Sequence, residues 1–283
     1  MLDDFKRVQV LSEALPFLKR FIGRIVVVKY GGSAMQNQLL KNQVIDDILC
    51  LSYMGIKPIL VHGGGPMINT WLNKVNIESK FEKGIRVTDP KTMEIVEMVL
   101  VGKVNQDLVA LINKKKGNAI GLSGKDAKLV VASSLSDSRQ NLVGKVDSIN
   151  SNIIQLLILN GYIPVIASVA ADSNGQTYNI NADTVAGAIA KELKAEKLIL
   201  LTDTAGIMYD TDNERTLFKY LNSKQIDILK DQQIISGGMI PKVDSCLQAL
   251  SGGVRSAHII DGRKSHALLL EFLTRDGIGS MLI

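Results

Sequence analysis

Two glycine-rich turns, each closing a short β-type run, constrain this chain most tightly. Val26-Val27-Val28-Lys29-Tyr30 runs into Gly31-Gly32-Ser33, and Ile59-Leu60-Val61-His62 runs into Gly63-Gly64-Gly65-Pro66. An amphipathic helical pattern follows each. Glycine lacks Cβ, so the backbone can approach a ligand closely and aim successive N–H groups at it, with the positive end of the next helix dipole behind them. Two such cradles, the first preceded by Lys29, suit a phosphate bridging two ligands. Neither is the G-x-x-x-x-G-K-[ST] loop, and Pro66 after the glycine triplet departs from G-x-G-x-x-G. One glycine pair is ordinarily a tight turn; two at successive strand ends point to phosphoryl transfer.

The alternation continues from Arg24 onward. Apolar runs predict strands at 24–30, 57–62, 119–122, 129–132, 163–168, 197–202, 257–261 and 280–283. Helical periodicity predicts helices at 37–54, 66–75, 92–116, 149–160, 181–193, 241–251 and 265–273, with Asn174-Gly175 as a hairpin turn. Continuous apolar strands separated by helices imply an α/β fold: a three-layer αβα sandwich around a mostly parallel central sheet. Residues 1–23 stand apart. Leu2, Phe5, Val8, Leu11, Leu15, Leu18 and Phe21 form an amphipathic stripe, which Pro16 is expected to break into two short helices. So many large apolar residues ahead of the fold favour contact with another subunit over packing on their own domain.

Composition removes several function classes. The chain has 283 residues, 46% hydrophobic but only 5% aromatic, so aliphatic side chains must build its core. Its 33 basic and 28 acidic residues leave a net charge of +5, spread along the chain; this suits anionic small molecules rather than nucleic acid. Lys114-Lys115-Lys116 before Gly117 is read as a helix C-terminus. Cys50 and Cys246 are expected to be buried core thiols in a reducing compartment, and three histidines without paired spacing predict no metal site. His62 is read as a structural strand-end residue, with catalysis as the alternative. No apolar run spans a membrane, and Asp3, Asp4 and Glu13 are unlike a targeting peptide, so a soluble intracellular protein is expected.

Three further clusters stand at strand or helix ends, where open α/β sheets bind ligands. They are Asn179-Ile180-Asn181-Ala182-Asp183, Leu201-Thr202-Asp203-Thr204-Ala205-Gly206 and Ser236-Gly237-Gly238-Met239-Ile240-Pro241-Lys242. Together with Gly84-Ile85-Arg86-Val87-Thr88 and Gly121-Leu122-Ser123-Gly124-Lys125-Asp126, they make the sequence resemble the amino-acid kinase family from about Arg24 to the C-terminus. The Arg86 block, followed by residues 92–105, is similar to the members that act on N-acetyl-L-glutamate. The resemblance implies an acceptor-binding and dimerisation lobe at about 24–175 and a nucleotide-binding lobe at about 176–283. It implies ATP-dependent phosphorylation of the γ-carboxylate of N-acetyl-L-glutamate, the second step of arginine biosynthesis, with Mg2+ arriving on ATP.

Residue by residue, Lys29, Lys242 and Asp183 are assigned to catalysis, and Gly64, Gly65, Arg86 and Asn179 to the acceptor. Gly31, Gly32, Gly63, Thr202, Asp203 and Gly238 are assigned to phosphate or nucleotide. The chemistry agrees. An acceptor carboxylate, with a pKa near ~4.3, is already anionic at neutral pH and needs no general base. What it needs is charge stabilisation on the transferring phosphoryl, from Lys29, Lys242 and backbone N–H groups, with Asp183 holding both ammonium groups. Arg86 offers a fork for a carboxylate, and Asn179 can donate and accept. Residues 1–23 and 258–281 are similar to the arginine-inhibited branch. There the helix joins dimers into a hexamer, a trimer of dimers, and Glu271, Gly277 and Gly279 are assigned to bound arginine. A PII-type nitrogen-signal protein is a further implied partner, and the location is bacterial cytosol or plastid stroma. Rivals are a family member using aspartate, free glutamate or a nucleoside monophosphate, and a non-catalytic sensor. The sensor is disfavoured because Lys29, Asp183 and Lys242 are all present.

Overall fold

The computed structural model describes residues 3–82, 85–135, 140–274 and 276–283, so Leu2 and Gly84 lie outside the described residues. It begins with helix α1 (Asp4–Phe21), strand β1 (Ile25–Tyr30), α2 (Gln38–Tyr53), β2 (Lys57–His62) and α3 (Gly65–Lys74). A hairpin of β3 (Phe81–Glu82) and β4 (Ile85–Arg86) precedes α4 (Pro90–Glu97), a π-helical stretch (Met98–Asn105) and α5 (Gln106–Lys114). Next come β5 (Ala119–Ser123), β6 (Val130–Ser134), β7 (Val143–Ile149), α6 (Asn152–Leu159), β8 (Ile163–Ala167), β9 (Val169–Ala171) and β10 (Thr177–Ile180). The remainder comprises α7 (Ala182–Glu192), β11 (Lys197–Thr202), β12 (Tyr220–Leu221), α8 (Ser223–Asp231), α9 (Met239–Ser251), β13 (Ser256–Asp261), α10 (Ala267–Leu273) and β14 (Ser280–Leu282).

Among the described residues, eight strands form one sheet in the order β12-β14-β13-β11-β1-β2-β8-β5. Every pairing is parallel except β13 with β14. The central strands are apolar because both their faces are covered: Val26, Val27, Val28, Ile59, Leu60 and Leu198–Leu201 have no exposed surface. Each such side chain contributes about 1.5–3 kcal/mol by burial, which fixes the register that carries the glycine turns to one end of the sheet. Helices α7 and α9 pack on each other and on β1, β11 and β13, while α2 packs on β2 and against α10. Strands β10, β7, β6 and β9 close into a small barrel beside the sheet.

Several expectations need correction. The helix expected to start at 149 starts at Asn152, because Val143–Ile149 is a strand of the barrel. Its side chains alternate in exposure too weakly for periodicity to reveal it. The long helix expected at 92–116 is continuous but widens into the π-helical stretch around Gly102. Pro16 does not break α1: the helix continues through it, giving up one i→i−4 hydrogen bond on an exposed stretch. Cys246 is buried, and burial raises its thiol pKa, but Cys50 is only half-buried. Helix α8 was not expected from periodicity, although its Asn222–Gln225 capping box is a sequence-level signal. The hairpin around Asn174-Gly175 forms between β9 and β10. No helix among the described residues is long and apolar enough to cross a membrane.

Candidate active site

The parallel register places the ends of β1, β2 and β11 side by side, and three helix N-termini face them. Helix α3 begins at Gly65, α7 at Ala182 and α9 at Met239. Between them lies a cavity of about 700 Å³. Positive helix ends and open backbone N–H groups make it a ready anion site.

Its floor is an ion triad. Lys29 is the fifth residue of β1, Asp183 lies in the first turn of α7 and Lys242 in the first turns of α9. Lys29 Nζ is 2.9 Å from Asp183 Oδ1, and Lys242 Nζ is 2.8 Å from Asp183 Oδ2. The Asn181 carboxamide caps α7 by accepting the N–H of Asp183 at 2.8 Å, which fixes that carboxylate's approach. Burial alone would raise the Asp183 pKa, but the two ammonium groups outweigh it and hold the carboxyl below its ordinary range. Burial lowers the Lys29 pKa, opposed by Asp183. Two cations on one carboxylate leave a local surplus of positive charge.

The first glycine turn is shaped by this triad. A Cβ at Gly31 would stand 2.9 Å from Lys29 Nζ, so any side chain there would displace the ammonium. Gly32 has φ +75°, a conformation that other L residues adopt only with strain. Beside the second turn, His62 is fully buried, and burial pushes its pKa down to about 4. Its Nδ1–H donates to the Gly63 carbonyl at 2.9 Å, and its Nε2 accepts from Asn105 Nδ2 at 3.0 Å. His62 is a structural support for the turn, and Asn105 of the π-helical stretch is its partner.

Lys29, Gly31, Gly32, Gly63, Gly64, Gly65, Arg86, Asn179, Asp183, Asp203 and Lys242 all line the large cavity. Thr202, Asp203, Gly238 and Lys242 line an adjoining cavity of about 300 Å³, walled by Ile207, Met208, Ile234 and Met239. All of the catalytic, acceptor and nucleotide residues expected from sequence thus converge on one continuous region. Asn179 Nδ2 donates to Thr88 Oγ1 at 3.1 Å, tying the barrel to the Arg86 block. Arg86 is buried and holds Asn69, Ser79 and the Gly65 carbonyl, contacts that no sequence signal identified. As for a metal, both Asp183 oxygens face ammonium groups, and no cluster of three metal-ligating side chains occurs among the described residues.

Glu271, Gly277 and Gly279 lie elsewhere, lining a separate cavity of about 220 Å³ with Phe17, Phe21, Lys197 and His258. Glu271 is not free there. Its Oε1 is 2.7 Å from His258 Nδ1, and its Oε2 accepts the Ile278 N–H at 2.9 Å. The Gly277 carbonyl accepts Lys219 Nζ at 3.2 Å. Lys197 Nζ is 3.1 Å from His258 Nε2, and burial pushes its pKa down to about 8.

The comparisons agree with this geometry. The family model described as "Amino acid kinase family" matches residues 24–261. The chain is 66% identical over its whole length to the full acetylglutamate kinase of Gracilaria tenuistipitata var. liui. It is 57% identical over its whole length to 96% of the acetylglutamate kinase of Thermosynechococcus vestitus. Among solved structures, the N-acetylglutamate synthase of Neisseria gonorrhoeae superposes on 97% of this chain with a TM-score of 0.85 at 23% identity, a likeness of fold. The chain spans 63% of that synthase's length. With two glycine cradles and the lysine–aspartate–lysine triad on one sheet end, and the family model covering most of the sequence, the chain belongs to the amino acid kinase family.

Proposed function

We propose that this chain transfers the γ-phosphoryl of ATP to the side-chain carboxylate of N-acetyl-L-glutamate, giving N-acetyl-L-glutamyl 5-phosphate. The observation that carries the chemistry is the pair Lys29 and Lys242 on the single carboxylate of Asp183, facing two glycine turns. Such a site has no use for a base, because the acceptor arrives ionised. Its task is to bring an anion to an anionic phosphoryl and hold the charge on the equatorial oxygens, which two ammonium groups and helix N-termini supply. The full-length relatives named acetylglutamate kinase support the choice of acceptor.

In this reading Arg86 and Asn179 receive the acceptor with Gly64 and Gly65. The apolar cavity beside Thr202, Asp203 and Gly238 receives the nucleotide. Mg2+ arriving on ATP would add neutralising charge to the phosphates beside Lys29 and Lys242. Residues 24–175 serve as the acceptor lobe and 176–283 as the nucleotide lobe, with Asn179 reaching across the division. Arginine inhibits from the cavity holding Glu271, and helix α1 joins dimers into a hexamer. The exposure of Phe5 (80%) and Val8 (66%) supports a covering partner for that helix. A PII-type protein is a further proposed partner, and the bacterial cytosol or plastid stroma the location. A coupled ADP-release assay with N-acetyl-L-glutamate, aspartate, glutamate and a nucleoside monophosphate tests the assignment. Turnover confined to N-acetyl-L-glutamate is expected; preference for another acceptor would overturn it.

A further inference from the structure

Arg86 is unusual among the buried cations of this chain. Only 7% of its surface is exposed, yet each of its hydrogen-bond partners among the described residues is neutral. Nη1 donates to Ser79 Oγ at 2.6 Å, while Nη2 donates to Asn69 Oδ1 at 2.6 Å and more distantly to the Gly65 carbonyl at 3.3 Å. Ser79 Oγ donates in turn to Asn69 Oδ1 at 3.0 Å, closing a small ring of bonds. The Phe81 ring lies 4.6 Å from the guanidinium carbon. By contrast, Lys29 and Lys242 share Asp183, and Lys197 lies beside the Glu271–His258 pair.

A buried cation without an anion is costly, and such groups are normally paired. The usual way to fix a guanidinium is a bidentate carboxylate, which orients it strongly but neutralises it. Here a carboxamide and a hydroxyl do the orienting. Asn69 presents its oxygen, because a guanidinium offers only donors, and takes Nη2 while the Ser79 hydroxyl takes Nη1. The geometry of a salt bridge is kept while the charge is left over. Asn69 stands on α3, immediately behind the second glycine turn, and Arg86 on β4 of the hairpin bordering the cavity. The ring of bonds therefore sets where the positive charge sits relative to Gly64 and Gly65.

We propose that Asn69, with Ser79, is a positioning residue that fixes Arg86 for a carboxylate of the acceptor other than the one being phosphorylated. This rests on the proposed function above. The acceptor's non-reacting carboxylate completes the missing ion pair, so the site selects acceptors by charge: a dicarboxylate binds, and a monocarboxylate leaves Arg86 buried and unpaired.

The test uses the full chain and steady-state kinetics with ATP, comparing wild type, Asn69→Ala, Asn69→Asp and Ser79→Ala. Asn69→Ala is expected to raise the acceptor KM by about tenfold, the scale of a lost charged hydrogen bond. Asn69→Asp is expected to raise it by about thirtyfold or more, because the new carboxylate takes the charge meant for the acceptor. In both, kcat and the ATP KM should stay within about threefold. A merely structural role predicts the opposite order, since aspartate restores acceptors for both Arg86 and Ser79. A second arm uses N-acetylglutamate whose α-carboxylate is an amide. With it, Asn69→Ala should cost less than about twofold beyond wild type, because the partner that Arg86 awaits is gone. Asn69→Asp matching wild type, or an undiminished Asn69→Ala penalty on the amide, overturns the proposal. Unchanged melting midpoints and ATP KM values exclude misfolding as the cause. Wild-type protein inactive on N-acetylglutamate overturns the proposed function instead, and the same series is then read on the acceptor it does use.

Discussion

The same strands, β11 and β13, run between two buried lysine clusters that solve opposite problems. Beside the C-terminal half of β11, Lys29 and Lys242 share Asp183, two ammonium groups on one carboxylate, at the floor of the larger cavity. At the N-terminal ends of the two strands Lys197, His258 and Glu271 form a chain of contacts at 3.1 and 2.7 Å. Burial lowers the His258 pKa, so that cluster holds one cation and one anion and is balanced. Phe21 and Phe272 each place a ring 5.3 Å from Lys197 Nζ, and they meet edge to face. Lys29 stands three register positions along the sheet from Lys197, about 10 Å of strand. Surplus positive charge can be completed only by an anion, as a phosphoryl group supplies. The partly aromatic cavity at the second cluster is instead lined by both charges, with Arg20, Lys219 and Arg255 beside Lys197 and with Glu196 and Asp276 beside Glu271.

Removing surplus charge at the first cluster should have the largest effect. Lys29→Ala and Lys242→Ala are each expected to lower kcat by roughly 10²–10³-fold with the acceptor KM nearly unchanged, the loss of one transition-state donor. Activity within threefold of wild type would remove that lysine from the chemistry and erase the contrast between the two ends. Arg86→Lys should come next, raising the acceptor KM by about tenfold or more, since an ammonium cannot reproduce a planar fork. The ATP KM should not move. If it moves alone, Arg86 belongs to the nucleotide side.

The second cluster is sharpened by separating arginine response from turnover. Deleting residues 1–23 removes Phe21 from Lys197 and leaves the Lys29–Asp183–Lys242 triad intact. The truncated chain should still turn over, as a dimer by light scattering, with the arginine concentration for half-inhibition raised by about tenfold. Binding can regulate only if it favours one arrangement of the subunits over another. A truncated protein that stays hexameric, or a full-length protein indifferent to arginine, would make the balanced cluster a plain structural ion network.

The first cluster was far more legible in the sequence than the second, and the reason is physical. Glycine turns and charged residues at the exits of apolar strands announce themselves, because a parallel sheet must bring strand ends together. Lys29, Asp183 and Lys242 were found in this way though they are distant in the chain. Lys197 and His258 sit inside or at the start of buried strands, where a lone polar residue reads as an interruption of the apolar run. Asn69 and Ser79 had no signal at all: each is an ordinary polar residue until Arg86 folds onto it. In the fold, the central strands were placed to within about two residues. The barrel strand β7 was lost because its half-exposed, polar sequence lacks the continuous apolar character of a sheet core. Pro16 misled because α1 runs on through it, giving up one i→i−4 hydrogen bond without ending.

The smallest expected effect concerns a proton rather than a side chain. The phosphoryl end excludes a proton from His62, whose Nε2 accepts from Asn105 and whose pKa burial pushes down to about 4. The unfolded chain regains the ordinary value of about 6.5, so below that pH it takes up a proton that the folded chain refuses. Stability contributed by neutral His62 is therefore fully present above pH 6.5 and is lost progressively as pH falls toward 4. At pH 5.5 the loss relative to pH 7.5 should be about 1 kcal/mol, from one unit of proton uptake in the unfolded state. Urea midpoints of wild type and His62→Gln at both pH values isolate it, because every other titrating group cancels in the difference. The wild type should lose about 1 kcal/mol more than the variant on acidification. Equal losses would mean that His62 accepts a proton in the folded chain, and that a charged group, rather than a neutral donor–acceptor relay, holds the second glycine turn in place.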